Sequence, residues 1–214
     1  MDNEVLKQIF DQQQELLSLP QTLVAVLEVV RDDSSSADDL AAVLSKDPAL
    51  TAKILRIVNS AYYGGNRQIG TVKQAVMMIG HRQITSLVLS SSVYQITRNW
   101  QAGIDRVRFW RHSLETAIAA RMIAEKIGFS RPEEMFVGGL LHDIGLLILE
   151  QAYPDTFQTV RESKTRNESL LDREENAWGT NHARVGQFLL EQWRLPEIIC
   201  ESVGRHHVTF TVGA

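Results

Sequence analysis

Histidines are the residues of this sequence whose type and spacing could carry chemistry. The 214 residues contain six histidines, and five of them recur through the second half of the chain. These five are His112, His142, His182, His206 and His207. Asp143 follows directly after His142, inside an apolar run where an unpaired carboxylate would be costly to bury. Converging imidazoles, with or without a metal ion, would supply its partner.

The donor types of this set predict a metal site. Borderline divalent metals accept imidazole nitrogen and carboxylate oxygen together, which favours iron, manganese, zinc or nickel over calcium. The predicted metal ligands are His112, His142, Asp143, His182, His206 and His207. Asp143 and His142 are also the candidate catalytic residues. Since adjacent residues on a helix diverge by about 100°, this pair can serve one site only from a flanking helix, with the carboxylate bridging.

Other polar residues have structural interpretations. A lone histidine is more often a surface or core residue than a ligand, and His81 is interpreted in that way. Arg111 and Arg121 flank His112 and could contact phosphate, but we expect both to be solvated charges on a helix face. Glu174 and Glu175 are expected on an exposed face, with the less favoured alternative that one of them approaches the metal site. Only the joint pattern of five histidines and one aspartate favours a site.

The elements that must position these residues are predicted to be helices. Apolar residues recur at helical spacing, and no alternating strand pattern or Asn-Gly hairpin occurs, so the predicted fold class is all-α. Helix starts are predicted from capping residues. They are Ser36, Asp47, Thr71, Asp105 and Thr180. The apolar segment that contains His142 and Asp143 is predicted to be one helix ending near Tyr153.

The domain organisation is predicted to be bilobal. Helical periodicity lapses between Asn99 and Gly103, which suggests a joint between two lobes. The first lobe is predicted to span residues 1–103. The second is predicted to span residues 104–214 and to carry the histidine/aspartate cluster. Trp110, Trp178 and Trp193 are expected to anchor the core or the lobe interface.

Composition limits the function classes. A net charge of −4 gives no broad basic footprint for nucleic acid. No apolar segment is judged to approach the roughly 18 residues that span a bilayer. The single cysteine, Cys200, is typical of a reducing compartment, and the acidic start at Asp2 and Glu4 argues against a secretory signal. We therefore expect a soluble cytoplasmic protein without a membrane partner.

Several motifs, in order along the chain, resemble those of the HDOD domain family. They are DPALTAKILR at 47–56, NSAYYG at 59–64, QAV at 74–76, WRHS at 110–113, GGLLHDIG at 138–145, NHA at 181–183, WRLP at 193–196 and the histidine pair at 206–207. The resemblance runs from about Leu17 to His207. It implies a bilobal all-α fold whose second lobe is similar to HD phosphohydrolases, including the HD-GYP cyclic di-GMP phosphodiesterases.

The resemblance also implies roles for individual residues. His112 matches the first histidine of the HD pattern, His142 and Asp143 the namesake pair, and the remaining histidines the additional ones of HD-GYP proteins. Leu146 stands where those enzymes have a lysine. The closing aspartate would lie beyond His207, but residues 208–214 contain no acidic side chain. A position held by His112, His142 and Asp143 is then one ligand short, whereas the other histidines and Asp143 form a complete second position.

Three functions remain open. The first is a bacterial signal-transduction output domain that binds signalling proteins and a nucleotide ligand, with a partial metal site. The second is a metal-dependent phosphohydrolase acting on a nucleotide or cyclic dinucleotide. The third is a redox or oxygen-sensing di-iron site with the same ligands. The first is favoured because Leu146 can neither polarise a phosphoryl oxygen nor protonate a leaving group.

Overall fold

The structure is a computed structural model that describes residues 2–11, 19–31, 34–60, 63, 68–98, 100, 103–163 and 168–208. These residues form helices and turns and include no strand, which confirms the all-α prediction. The chain divides into two compact units, Leu19–Ile96 and a second made of Met1–Ser18 with Thr97–Ala214. The second unit contains the histidine/aspartate cluster, and we call it the HD-like unit.

The helices of the two units follow one another along the chain. The HD-like unit begins with α1 (Asp2–Asp11). The Leu19–Ile96 unit contains α2 (Gln21–Arg31), α3 (Ala37–Leu44), α4 (Pro48–Val58), α5 (Val72–Ile79) and most of α6 (His81–Thr97). The HD-like unit continues with α7 (Arg106–Lys126), α8 (Pro132–Leu141), α9 (Ile144–Ala152), α10 (Pro154–Glu162), α11 (Leu170–Trp178), α12 (His182–Gln192) and α13 (Glu197–Gly204).

The first helix packs within the HD-like unit rather than with the residues that follow it. The rings of Phe10 and Phe188 lie 5.0 Å apart, and Phe10 is buried. The HD-like unit therefore includes α1, although the predicted boundary between residues 103 and 104 assigns α1 to the first lobe. Local sequence patterns could not reveal the contact between Phe10 and Phe188, because these two residues are far apart along the chain.

Most helix starts follow the predicted capping chemistry. Ser36 and Asp39 form a reciprocal capping box, and the side chains of Asp47, Thr71 and Asp105 accept hydrogen bonds from backbone N–H groups one turn on. The prediction for α12 is wrong by one residue. Asn181, not Thr180, caps that helix by accepting a 3.1 Å hydrogen bond from the Arg184 backbone N–H.

The apolar segment around the cluster is two helices rather than one. The break falls at His142 and Asp143, where Asp143 adopts φ −98° and ψ 8°, outside the helical region. Among the described residues, 132–152 is long and apolar enough to cross a membrane, so the expectation that no such segment exists is wrong. However, 72% of its most apolar window is buried inside the protein, as in the core helices of soluble proteins.

Two glycines allow the helices that carry the cluster to approach closely. A Cβ atom on Gly139 would lie 2.9 Å from the Ala117 Cα atom, so α8 lies directly against α7. A Cβ atom on Gly145 would overlap the carbonyl oxygen of His182, so α9 lies directly against the start of α12. These contacts bring the turn at His142 and Asp143 between two helices that each provide a histidine.

Candidate metal centre

The structure brings all six predicted ligands together within the HD-like unit. His112 projects from the middle of α7, and His142 and Asp143 form the turn between α8 and α9. His182 is the first residue of α12, while His206 and His207 lie in the turn after α13. Because four separate segments contribute to it, the cluster depends on the tertiary fold.

Asp143 lies at the centre, and each of its two oxygens faces a different set of imidazoles. The Oδ2 atom lies 3.2 Å from the Nε2 atom of His142 and 3.8 Å from that of His112. The Oδ1 atom lies 3.5 Å from the Nε2 atoms of both His182 and His206. This is the geometry of a carboxylate that can bridge two ion positions, and the turn at His142 and Asp143 allows both side chains to contribute.

The second position has ligand spacings that match coordination of one ion. The Nε2 atom of His182 lies 2.9 Å from that of His207 and 3.4 Å from that of His206. Two ligands about 2.1 Å from one ion are about 3.0 Å apart at a right angle and about 3.4 Å apart in a tetrahedron. The Asp143, His182, His206 and His207 ligand atoms all lie within 4.8 Å of one another.

Hydrogen bonds on the far side of three rings fix their orientation. The Nδ1 atom of His142 lies 2.8 Å from the Gly139 carbonyl oxygen, and that of His206 lies 2.7 Å from the Val203 carbonyl oxygen. A carbonyl can only accept, so each Nδ1 carries the proton and donates it. In a neutral ring the Nε2 lone pair of His142 or His206 faces Asp143 and can bind a cation, whereas in a protonated ring the Nε2–H donates to Asp143 instead.

Glu174 fixes the third ring, which is the less favoured of the two alternatives that the sequence left open for it. Its Oε2 atom lies 2.6 Å from His182 Nδ1 and accepts a 2.9 Å hydrogen bond from the His182 backbone N–H. Both side chains are only 1% exposed. The expectation of an exposed face is wrong for Glu174, because α11 turns it inward with Trp178, one turn later. Glu175 is exposed as expected.

The charges of the cluster stabilise one another. Burial alone would raise the pKa of Asp143, but hydrogen bonds from His142 and His206, together with the charges of His142 and His182, outweigh burial and hold that pKa well below its usual range. Burial lowers the pKa of His142, but the hydrogen bond to Asp143, the charge of Asp143 and the contact with the Gly139 backbone together outweigh burial, so the net pKa is raised. Burial and two neighbouring imidazoles lower the pKa of His207. Asp143 is therefore an ionised acceptor at neutral pH.

A cavity of about 380 Å³ opens beside the first position. Its lining includes Arg108, Phe109, His112, Asp143, Leu146 and Arg161. His112 has a side chain that is 58% exposed, so the group of His112, His142 and Asp143 is accessible to solvent. Leu146 gives this cavity an apolar wall.

Other sequence predictions have mixed outcomes. Arg111 is a surface residue paired with Glu115, as expected. The expectation for Arg121 is wrong, because its side chain is 9% exposed and lies 3.6 Å from Glu133. Trp178 and Trp193 are buried, which confirms their assignment to the core. His81 begins α6 in the other unit and is not part of the cluster.

A family model and several known proteins match most of the chain. The family model described as HDOD domain matches residues 16–209. The crystal structure of a proposed phosphohydrolase from Shewanella amazonensis SB2B is 28% identical, with a TM-score of 0.82 over 95% of this chain and 72% of that one. An HDOD domain protein with unknown function from Geobacter sulfurreducens is 28% identical, with a TM-score of 0.77 over 89% of this chain and 64% of that one.

A longer relative matches nearly the whole chain as well. An uncharacterized protein of Treponema pallidum (strain Nichols) is 26% identical over an alignment of 203 residues, and the match covers 93% of this chain. The match covers 39% of that protein, so the chain spans about two fifths of this relative's length.

Proposed function

Because the chain belongs to the HDOD domain family, we propose that it is a signal-transduction output domain whose histidine/aspartate cluster binds divalent metal. Its function is regulated binding of a small ligand and of signalling proteins rather than hydrolysis. The observation that carries the proposal is the convergence of imidazole Nε2 atoms on the two oxygens of Asp143.

The residues present fit a divalent metal ion. Nitrogen donors dominate, their spacings suit one ion at the second position, and fixed Nδ1 protons direct the lone pairs inward. Without a cation, the Nε2 atoms of His182 and His207 would share one proton at 2.9 Å or repel each other. A bound metal would supply positive charge and Lewis acidity at this point.

The two positions differ in a way that supports ligand binding. The second position has four protein ligands, as structural sites usually do. Among the residues that the structure describes, the first position has three ligands, His112, His142 and Asp143, and it borders the cavity, as sites that accept an exogenous ligand do. A ligand that enters the cavity would complete the coordination of an ion at the first position. Ligand binding would in this way be coupled to the structure of the HD-like unit.

Metal analysis of the purified 214-residue chain tests the proposal. Protein stripped with a chelator is dialysed against zinc, manganese or iron(II), and bound metal is measured by elemental analysis. We expect at least one equivalent of one of these ions, lost in His182→Ala and retained in His81→Ala. Less than about one tenth of an equivalent for every metal would contradict the proposal, because structural sites of this kind bind tightly.

Hydrolysis is the second candidate, and the bridging position of Asp143 favours it. Two-metal hydrolases hold their ions about 3.5–4 Å apart, a separation that one carboxylate can span. The apolar Leu146 side chain at the cavity wall argues against it, since the described residues that line the cavity include no lysine to stabilise a leaving group. Turnover of a phosphodiester panel by the metal-loaded chain, abolished in His142→Ala, would establish hydrolysis and overturn a binding-only function.

A further inference from the structure

We propose that the outer face of α7 is the contact surface of a homodimer, in which α7 packs antiparallel against α7 of a second copy about a two-fold axis at Ile118. Among the described residues, α7 exposes more large apolar side chains than any other helix. Its exposed apolar side chains, each at least 47% exposed, are Val107, Leu114, Met122 and Ile123. Exposed apolar surface that is concentrated in one place marks an interaction site.

Most of these side chains lie in one stripe along the helix. The stripe consists of Val107, Leu114, Ile118 and Met122. The spacings between them are seven, four and four residues, and positions at such spacings share one face of a helix. The face that packs on α8, marked by the approach of Gly139 to Ala117, is a different one. The stripe is therefore not part of the core of the HD-like unit.

The stripe is arranged symmetrically about Ile118. Leu114 and Met122 each lie four residues from Ile118, in opposite directions along α7. An antiparallel copy would place Leu114 against Met122 of the second copy and Ile118 against its own counterpart. In a two-fold contact every such pair occurs twice, so the same surface serves both copies.

The charges beside the stripe have the signs that an antiparallel copy requires. Arg111 and Glu125 each lie seven residues from Ile118, in opposite directions, so the arginine of each copy would face the glutamate of the other. Opposite charges at matched positions determine the register and orientation of paired helices. A second copy explains this match, whereas an unrelated partner would not require it.

The existing contacts of these two charged groups do not prevent such pairing. Arg111 lies 3.0 Å from the exposed Glu115, and Glu125 lies 3.8 Å from Arg121, in both cases within α7. Ion pairs between exposed side chains contribute little to stability. Arg111 and Glu125 can therefore turn toward a second copy at low cost.

The proposed contact leaves the candidate metal centre accessible. His112 belongs to the same helix but lies six residues from Ile118, which places it about 120° away around the helix axis. The face of α7 that borders the cavity is thus not the face that pairs. Dimer formation and metal binding can consequently succeed or fail independently.

The size of the contact predicts a weak dimer. A helix of 21 residues is about 30 Å long, so one pair of such helices forms a contact at the small end of specific interfaces. We expect a Kd of about 1–100 µM, in the range of transient assemblies.

Sedimentation velocity of the 214-residue chain tests this inference, at concentrations from about 1 µM to about 300 µM. A chelator is present throughout, which excludes pairs of chains bridged by metal. We expect a monomer–dimer equilibrium for wild type. Met122→Glu would bring a carboxylate against Leu114 of the second copy and should raise the Kd about tenfold or more. Met77→Glu, which changes a similarly exposed methionine on α5, should dimerise like wild type.

Exchange of the two charges tests the antiparallel register. Arg111→Glu and Glu125→Arg would each place like charges across the contact, and each should raise the Kd about tenfold. The double variant Arg111→Glu/Glu125→Arg restores opposite signs and should return the Kd to within about threefold of wild type. Unfolding midpoints of all variants, measured in parallel, show that the monomer remains folded.

The inference is overturned if wild type stays monomeric at the highest concentration. It is also overturned if Met122→Glu dimerises as tightly as Met77→Glu, because the contact would then lie elsewhere. Single charge variants that dimerise like wild type, or a double variant no tighter than the single ones, would overturn the antiparallel arrangement.

Discussion

The contact between Glu174 and His182 controls one ligand of the second position. Glu174→Ala would leave a buried Nδ1–H without its acceptor and the His182 ring without a fixed orientation. Loss of such a carboxylate typically costs ten- to a hundredfold in metal affinity, and we expect a zinc affinity about tenfold lower or worse. Glu174→Gln keeps an accepting oxygen and should lose less. A competition titration against a chromophoric chelator measures the change.

The neighbouring glutamate provides the control for this prediction. Glu175 is exposed and contacts Asn181 rather than an imidazole. Glu175→Ala should therefore bind zinc like wild type. Equal zinc affinities for Glu174→Ala and Glu175→Ala would show that the buried contact has no part in metal binding.

At the scale of residues, the sequence predicts the candidate metal ligands better than the residues that orient them. The five histidines and Asp143 are recognisable because their residue types are unusual for their surroundings. Glu174 is not, because α11 is a polar helix in which any carboxylate resembles a solvated one. Its burial is decided by the fold around it. The available signal was the four-residue spacing to Trp178, which places both on one helix face.

At the scale of elements, the close contact between α9 and α12 depends on Gly145. An alanine there would place its Cβ atom against the backbone of His182, which cannot move aside as a flexible side chain can. We expect Gly145→Ala to lower the free energy of unfolding by about 1–3 kcal/mol or more and to weaken zinc binding. Gly70→Ala, whose Cβ atom would have only the Gln74 side chain within 4 Å, should be nearly neutral.

Urea denaturation of both glycine variants distinguishes crowding from a general effect of alanine. The transition midpoint should fall for Gly145→Ala alone. Similar midpoints for the two variants would mean that α9 and α12 can separate at little cost.

Glu150 joins the start of α7 to α9 and so helps to position His112. This buried carboxylate accepts hydrogen bonds from the backbone N–H groups of Gly103 and Ile104 and from Arg106, at 2.5–2.7 Å. Removing one partner of a buried charged network typically costs about 3 kcal/mol. We expect a loss of that order in the free energy of unfolding for Glu150→Ala, measured by urea denaturation. The exposed Glu162→Ala should leave stability unchanged.

The limits of sequence-based prediction at this scale appear in the segment from Pro132 to Ala152. Apolar residues continue on both sides of His142 and Asp143, so periodicity predicts one helix. A two-residue turn changes the direction of the chain without changing its composition. Capping residues are more informative, because Asp47, Thr71 and Asp105 satisfy backbone N–H groups through local bonds that the sequence alone specifies.

At the scale of the whole molecule, the fold class and family were predictable and the composition of the HD-like unit was not. Helical periodicity and ordered motifs persist along most of the chain, so all-α architecture and HDOD membership follow from many residues at once. The inclusion of α1 in the HD-like unit rests on the contact of Phe10 with Phe188. No local pattern encodes a contact between residues so distant in sequence.

Metal binding should stabilise the molecule through the HD-like unit. The cluster joins α7, the turn before α9, α12 and the turn after α13, so an ion bound there favours the folded state over the unfolded one. At a free zinc concentration one hundred times Kd, the gain is about 2.7 kcal/mol. Differential scanning calorimetry should therefore show a zinc-dependent rise in Tm, absent in His182→Ala and retained in His81→Ala. Calcium, which prefers oxygen ligands, should have no such effect. An equal rise with calcium would assign the stabilisation to acidic surface groups instead of the imidazole cluster.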